Sequence, residues 1–236
     1  MKLFIFDLDE TLVDFFVLHN EVTHRVLKKF FGVEAWLTEV EHAGRSQRDG
    51  MRELAGLKGV PRYVFDKQAD RVLDEFGIEF AARMPADVTD SILPGAEELL
   101  TALSQTDSVL ALYTGDAPGV VDAVFRATGF GRYFAYRFSG TQFKRREDMV
   151  KLAIQKAEAD TGLEFKGKDV VIIGDSIRDV ECGRVFDALT IGVASGSYSA
   201  EELAQAGAGI VVKSLKEERT ILDAIGAPVI QKLSGM

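Results

Sequence analysis

Short apolar runs alternate with stretches of helical periodicity along most of the chain. The runs are "LFIF" (3–6), "SVLALYT" (108–114), "DVVIIG" (169–174), "ALTIGV" (188–193) and "GIVV" (209–212), with a weaker one at "YFAYRFS" (133–139). Continuous apolar runs of this length are what strands buried on both faces of a parallel sheet require. Between them, "GAEELLTALSQ" (95–105), "PGVVDAVFRATG" (118–129) and "REDMVKLAIQKAEADTG" (146–162) read as helices; the second opens near Pro118 and closes on Gly129, the usual asymmetry. Strand–helix alternation predicts an α/β sheet with crossover helices.

One region breaks the rhythm. From about residue 15 to 90 there is no strand run, and "HNEVTHRVLKKFFG", "RDGMRELAG" and "YVFDKQADRVLDEFGIEFAARM" all carry helical periodicity. Val64, Phe65, Ala69, Val72, Leu73 and Phe76 fall on one stripe, so this helix packs against something. The expected organisation is an α/β core from 1–14 and 91–236 with a helical domain, 15–90, inserted between the first two strands. The segments "DETLVD" and "MPADVTDSILPG" (84–95) are the two linkers.

Composition narrows the function classes. The 236 residues are 47% hydrophobic and 28% charged, ordinary for a soluble protein, with a formal net charge of −9. That charge argues against a nucleic-acid partner, which calls for a basic stripe, and no run approaches the length of a membrane helix. Cys182 is the single cysteine, so no internal disulfide forms, and its position suits core packing. The expected setting is cytoplasmic, since the N-terminal apolar run is too short for a signal peptide.

The chemistry sits where the apolar runs end. "LFIF" meets Asp7, and Asp9 follows two positions later; "VVIIG" meets Asp175, with Asp179 four residues on. Parallel sheets bind ligands at the C-terminal ends of their strands, so both pairs reach one rim. Two carboxylates ~4 Å apart repel by about 4 kcal/mol at an effective dielectric near 20, and three or four converging acids demand a hard cation. Oxygen-only ligation points to Mg²⁺ rather than Zn²⁺. A third run ends in "TGD": the Thr114 hydroxyl and the Gly115 and Asp116 N–H groups stand before a helix, a place to hold an anion. "FKRREDM" offers Lys144, Arg145 and Arg146, of which one can neutralise a phosphate oxygen while the others form a solvated face.

Taken in order, DxDxT (Asp7, Asp9, Thr11), Thr114, Lys144 and GDxxxD (Gly174, Asp175, Asp179) resemble the four motifs of the haloacid dehalogenase-like hydrolase superfamily, across nearly the whole chain. The resemblance implies a Rossmann-like core of strand order 3-2-1-4-5 with an all-helical cap after the first strand. It also implies a mechanism. Asp7 is the nucleophile that forms an aspartyl-phosphate; Asp9 is the acid for the leaving alcohol, then the base for water. Mg²⁺ is held by Asp7, the Asp9 main-chain carbonyl and Asp175, with Asp179 as ligand or close support. Thr114 and Lys144 hold the phosphate. Two positions depart from the family pattern: Arg145 follows Lys144 where Pro is usual, and Glu10 stands where Gly is commoner. Lys144 is preferred over Arg145 and Arg146 because Ala153 then falls in the usual small-residue place.

The expected activity is Mg²⁺-dependent hydrolysis of a small phosphorylated metabolite. Dehalogenase members lack the second acid, and Asp9 is present. Sugar-phosphate mutases of the family carry a cap histidine where His19 falls, and an arginine where this chain has Gln47, so a mutase is the alternative; a non-catalytic phosphate- and Mg²⁺-binding protein is a third reading. In the cap, Arg45 and His19 are the expected substrate contacts. "GLEFKGKD" (162–169) resembles a P-loop only superficially, because Asp169 replaces the required Ser or Thr and a strand follows.

Overall fold

The computed structural model describes residues 1–226. Six parallel strands form one sheet: β1 (Lys2–Phe6), β2 (Ser108–Thr114), β3 (Tyr136–Ser139), β4 (Val170–Gly174), β5 (Leu189–Val193) and β6 (Ile210–Val212). Their order, β3-β2-β1-β4-β5-β6, contains the expected 3-2-1-4-5 and adds the "GIVV" run at one edge. β1 lies centrally, pairing Phe6 with Leu112 of β2 and with Ile173 of β4. This register brings the C-terminal ends of β1, β2 and β4 to one rim.

Helices α1 (Phe16–Phe31), α2 (Gln47–Leu57) and α3 (Arg62–Arg83) fill the interval between β1 and β2 without a strand. Phe65, Ala69, Val72, Leu73 and Phe76 of α3 are buried as their periodicity requires, while Val64 is only partly so. The remaining helices are α4 (Ala96–Ser104), α5 (Pro118–Thr128), α6 (Arg146–Thr161), α7 (Ile177–Val185), α8 (Ala200–Gln205) and α9 (Glu218–Ala224). The sheet separates two apolar layers. Phe4 and Phe6 face one, with α3 and α5; Leu3 and Ile5 face the other, with Met149, Val150, Ala153 and Ala157 of α6. Cys182 belongs to the second layer, and burial pushes its thiol up to about 12.

The chain enters and leaves the helical segment along adjacent paths. Val13 bridges Ile92 in antiparallel fashion, Asp14 N–H donates to Ser91 O at 2.8 Å, and Leu93 N–H donates to Leu12 O at 3.0 Å. The two expected linkers run side by side in this paired stretch; the end of the expected core, 227–236, lies outside the described residues. No helix among the described residues is long and apolar enough to cross a membrane.

Candidate active site

Asp7 follows β1 directly, its N–H bonded to Ile173 O of β4 at 2.9 Å, so its carboxylate stands on the rim. Asp175 follows β4, and Asp179 lies in the first turn of α7. One carboxylate oxygen from each of the three lies within 4.8 Å of the others, and all three residues are buried. Three of the four acids expected to converge therefore do so. Gly174 is required for it: a Cβ there would stand 2.3 Å from the Asp179 carboxyl.

The oxygens of the trio are not equivalent. Asp179 Oδ2 accepts from the Ser176 N–H (3.0 Å) and hydroxyl (2.6 Å), closing a capping box at the start of α7, and Oδ1 accepts from the Tyr113 hydroxyl. Asp175 Oδ1 accepts from the Thr11 hydroxyl at 3.2 Å, whereas its buried Oδ2 has no protein partner. Burial, then repulsion from Asp179 and Asp7, drives the Asp175 carboxyl well above its usual range. Burial raises Asp7 to about 7, with Arg146 opposing and Asp179 and Asp9 assisting. A divalent cation fits this donor set: hard oxygens only, an orphaned buried lone pair, and acids that repel one another without it. Asp7 and Asp175 have the free valences; Asp179 is engaged in holding the α7 turn.

This predicts an inverted pH response in chelator-treated protein. Asp7 titrates near 7 in the fold against 3.8 unfolded, so the native state binds more protons between those values. Stability should therefore fall as pH rises from about 4 to about 7, by up to ~1.4 kcal/mol per pH unit for this proton. Saturating Mg²⁺ should abolish the slope. Thermal melts across that interval, with and without Mg²⁺, measure it.

The cation facing the acids is Arg146, not Lys144, on which the expectation was placed. Lys144 is exposed. Arg146 Nη2 lies 2.8 Å from Asp7 Oδ1 and 2.7 Å from Asp179 Oδ1, with its guanidinium carbon 4.2 Å from the Tyr113 ring centre. Burial works against its charge, but Asp179 and Asp7 more than offset this and keep it ionised. The reason is helical phase. Arg146 shares the sheet-facing stripe of α6 with Met149, Val150, Ala153 and Ala157; Lys144 precedes the helix and falls off that stripe.

Asp9 points elsewhere. Its carboxylate lies outside the trio and clusters with His19 and Asp116, so its side chain is no part of the expected metal set. His19 Nε2 is 3.4 Å from Asp9 Oδ1 and 3.9 Å from Asp116 Oδ2, and its ring packs on Phe76 and Phe80. His19 is thus a buried neighbour of Asp9. Burial tends to raise Asp9, yet the neighbouring His19 imidazole and hydrogen bonds from His19 and Asp116 together hold the carboxyl below its usual range. Burial and the Asp9 charge drive Asp116 well above its own. The backbone turns beside this cluster through Glu10 at φ 55, the left-handed conformation that makes Gly commoner at such a position.

Thr114 is fully buried at the end of β2, and its oxygen accepts from Asp116 N–H at 3.2 Å, leaving the hydroxyl hydrogen free to donate to an anion. The loop before α2 is docked across this strand end. Gln47 N–H donates to Gly115 O at 2.8 Å, Ala117 N–H donates to Gln47 Oε1 at 3.0 Å, and Arg146 Nη1 donates to Gly44 O at 3.3 Å. Arg45, the expected substrate contact, lines the cavity, but its Nη1 is bound to Glu53 (2.6 Å) and Glu41 O (2.9 Å). The enclosed space is about 100 Å³, walled by the rim on one side and by the helical segment on the other. A Cβ on Gly115 would meet Arg45 O at 1.9 Å. Gly115→Ala should therefore hold the loop off the rim and lower kcat/KM by ~10²-fold with little change in Tm, as steady-state rates and melts would read.

Comparison with known proteins adds three findings. Residues 1–187 match the family model described as haloacid dehalogenase-like hydrolase. A phosphoglycolate phosphatase of Agrobacterium fabrum is 27% identical over 196 residues, 81% of this chain and 80% of that protein. Among solved structures, a hydrolase from Pseudomonas syringae superposes with a TM-score of 0.73 at 23% identity, covering 97% of this chain and 100% of that one. A β-phosphoglucomutase from Clostridium difficile superposes with a TM-score of 0.72 at 19% identity, covering 96% and 97%.

Proposed function

This chain belongs to the haloacid dehalogenase-like hydrolases, and from that premise we propose that it is a Mg²⁺-dependent phosphatase of a small phosphomonoester. The observation that carries the reading is the pair of carboxylates leaving β1, one facing Arg146 and the acid trio, the other facing His19 and Asp116. Such divergent surroundings suit one carboxylate for attack and the other for proton transfer.

In this reading Asp7 attacks phosphorus and expels the alcohol, forming an aspartyl-phosphate. Asp9 delivers a proton to the departing oxygen, then accepts one from the water that cleaves the acyl-phosphate bond. Asp116, whose carboxyl burial and then the Asp9 charge push well above its usual range, adjoins Asp9 on this side. His19 holds Asp9 in place. Arg146, the Thr114 hydroxyl and the Gly115 N–H bind phosphate oxygens, Arg146 taking the part expected of Lys144. Mg²⁺ bound by Asp7, the Asp9 carbonyl and Asp175 would supply the positive charge that lets a phosphate dianion approach a carboxylate. The helical segment 15–90 acts as a cap whose docking excludes water.

A sugar-phosphate mutase is the second reading, favoured by His19 beside Asp9. Product analysis separates the two: free phosphate for hydrolysis, an isomeric sugar phosphate for the mutase. Asp9→Asn is the test of the phosphatase mechanism. It should lower phosphate release ~10²–10⁴-fold while p-nitrophenyl phosphate, whose leaving group needs no proton, still phosphorylates Asp7, seen by mass spectrometry. Unchanged turnover in Asp9→Asn, or turnover indifferent to chelator, would refute the assignment.

A further inference from the structure

In the phosphatase reading the leaving alcohol faces the side of the cavity built by the helical segment, and that wall has a definite chemistry. Phe15, Phe16, Leu37 and Met51 make it largely apolar. Two buried nitrogens in it have no protein partner: Gln47 Nε2 and His42 Nε2. Their hydrogen-bonding sense follows from the opposite ends of the same side chains. Gln47 Oε1 is already taken by Ala117 N–H, so the free end of that amide is a donor. His42 Nδ1 faces Val40 O at 3.4 Å; a proton there leaves Nε2 as an acceptor. The ring is fixed against Phe16, 5.0 Å between centres. One donor and one acceptor without protein partners on this wall complement a hydroxyl group, which both accepts and donates.

A charged tail has no such reception. Among the described residues the arginines lining the cavity are Arg45 and Arg146. Arg146 is held by Asp7 and Asp179, and Arg45 by Glu53 and Glu41 O. Arg48 is paired with Asp70, and Arg178 with Glu41. Glu10 also lines the cavity, so an anionic tail would meet an acid. Burying a carboxylate or second phosphate without a cation is strongly unfavourable.

We propose, building on the phosphatase reading above, that the substrate is the phosphomonoester of a small uncharged polyol, with one hydroxyl read jointly by Gln47 and His42. Phosphoglycolate, despite the relative that bears its name, is then a poor substrate, and so is any bisphosphate. The site accepts an alcohol by its hydroxyl pattern and offers a second anion no unpaired arginine.

The test compares glycerol 3-phosphate with n-propyl phosphate, which lacks the hydroxyls, and with phosphoglycolate; p-nitrophenyl phosphate reports the core chemistry. Glycerol 3-phosphate should exceed both n-propyl phosphate and phosphoglycolate in kcat/KM by ~10²-fold or more, because the first leaves buried polar groups unpaired and the second buries an unpaired charge. Gln47→Glu, which keeps an oxygen for Ala117 N–H but removes the donor, and His42→Phe should each erase most of that margin over n-propyl phosphate while altering n-propyl phosphate turnover less than ~3-fold; this control separates lost recognition from a displaced loop. Phosphoglycolate as the best substrate, with the preference abolished by Arg45→Ala, would overturn the inference and leave the phosphatase reading standing. No phosphate released from any of the four would remove the phosphatase reading and this inference with it.

Discussion

Asp7→Asn is expected to abolish turnover, lowering kcat by ~10⁴-fold or more, without lowering the melting temperature. The two halves of this expectation come from the same residue. As nucleophile, Asp7 has no substitute on the rim: Asp179 is bound by Ser176 and Tyr113, and Asp175, held through one oxygen by Thr11, has only the oxygen assigned above to the cation. As a buried acid raised to about 7 by burial and by its neighbours, it burdens the metal-free fold at neutral pH. An amide removes the repulsion while Arg146 keeps Asp179 as partner. Phosphate-release assays, a search for phosphoryl adducts by mass spectrometry and thermal melts read all three consequences. A variant that still turns over at a tenth of the wild-type rate would refute the role of Asp7.

Arg146→Met carries the second large effect, and its sign on stability is the reverse. The guanidinium is the cation that the metal-free acid trio contacts directly. Removing one partner of a buried ionic cluster costs about 3–5 kcal/mol, which for a chain of this length is roughly 6–20 °C in Tm. Excess Mg²⁺ should recover part of that loss, because it places positive charge among the same oxygens, but phosphate binding should stay impaired. Lys144→Ala, on an exposed side chain, should move Tm by no more than about 0.5 kcal/mol equivalent. Measuring both variants side by side decides which cation serves the site; the opposite ranking would restore Lys144.

The reversal between these two positions shows what could be read from the chain and what could not. Every strand announced itself, because a strand covered on both faces is continuously apolar. β4, β5 and β6 begin one residue after the start of their runs, and β3 begins three after, where Phe134 packs against Phe6 and Phe125. The acids of the trio were equally legible: each follows an apolar run or opens the helix after one. Arg146 was also legible, through its spacing of three, four and seven from Met149, Val150 and Ala153. That helical phase was outweighed by the register of a motif, and the phase was the better guide. The parts played by His42, Gln47 and Asp116 had no such signal. They arise where the loop before α2 meets the turn after β2, some seventy residues away in sequence, and nothing local to either segment specifies that contact. Glu10 lies between these cases. Its departure from Gly was visible, but only the backbone angle shows that the turn keeps its left-handed form regardless.

The crossing of the two connectors, Val13 beside Ile92, has an evolutionary corollary. Because the polypeptide departs and returns at neighbouring points, everything between behaves as a cassette that can be exchanged without re-threading the sheet. Gln47 and His42 travel with the cassette, whereas Asp7, Arg146 and Asp175 stay behind. Taste for a new alcohol can thus be grafted or lost in one stroke, with the bond-breaking apparatus inherited unaltered.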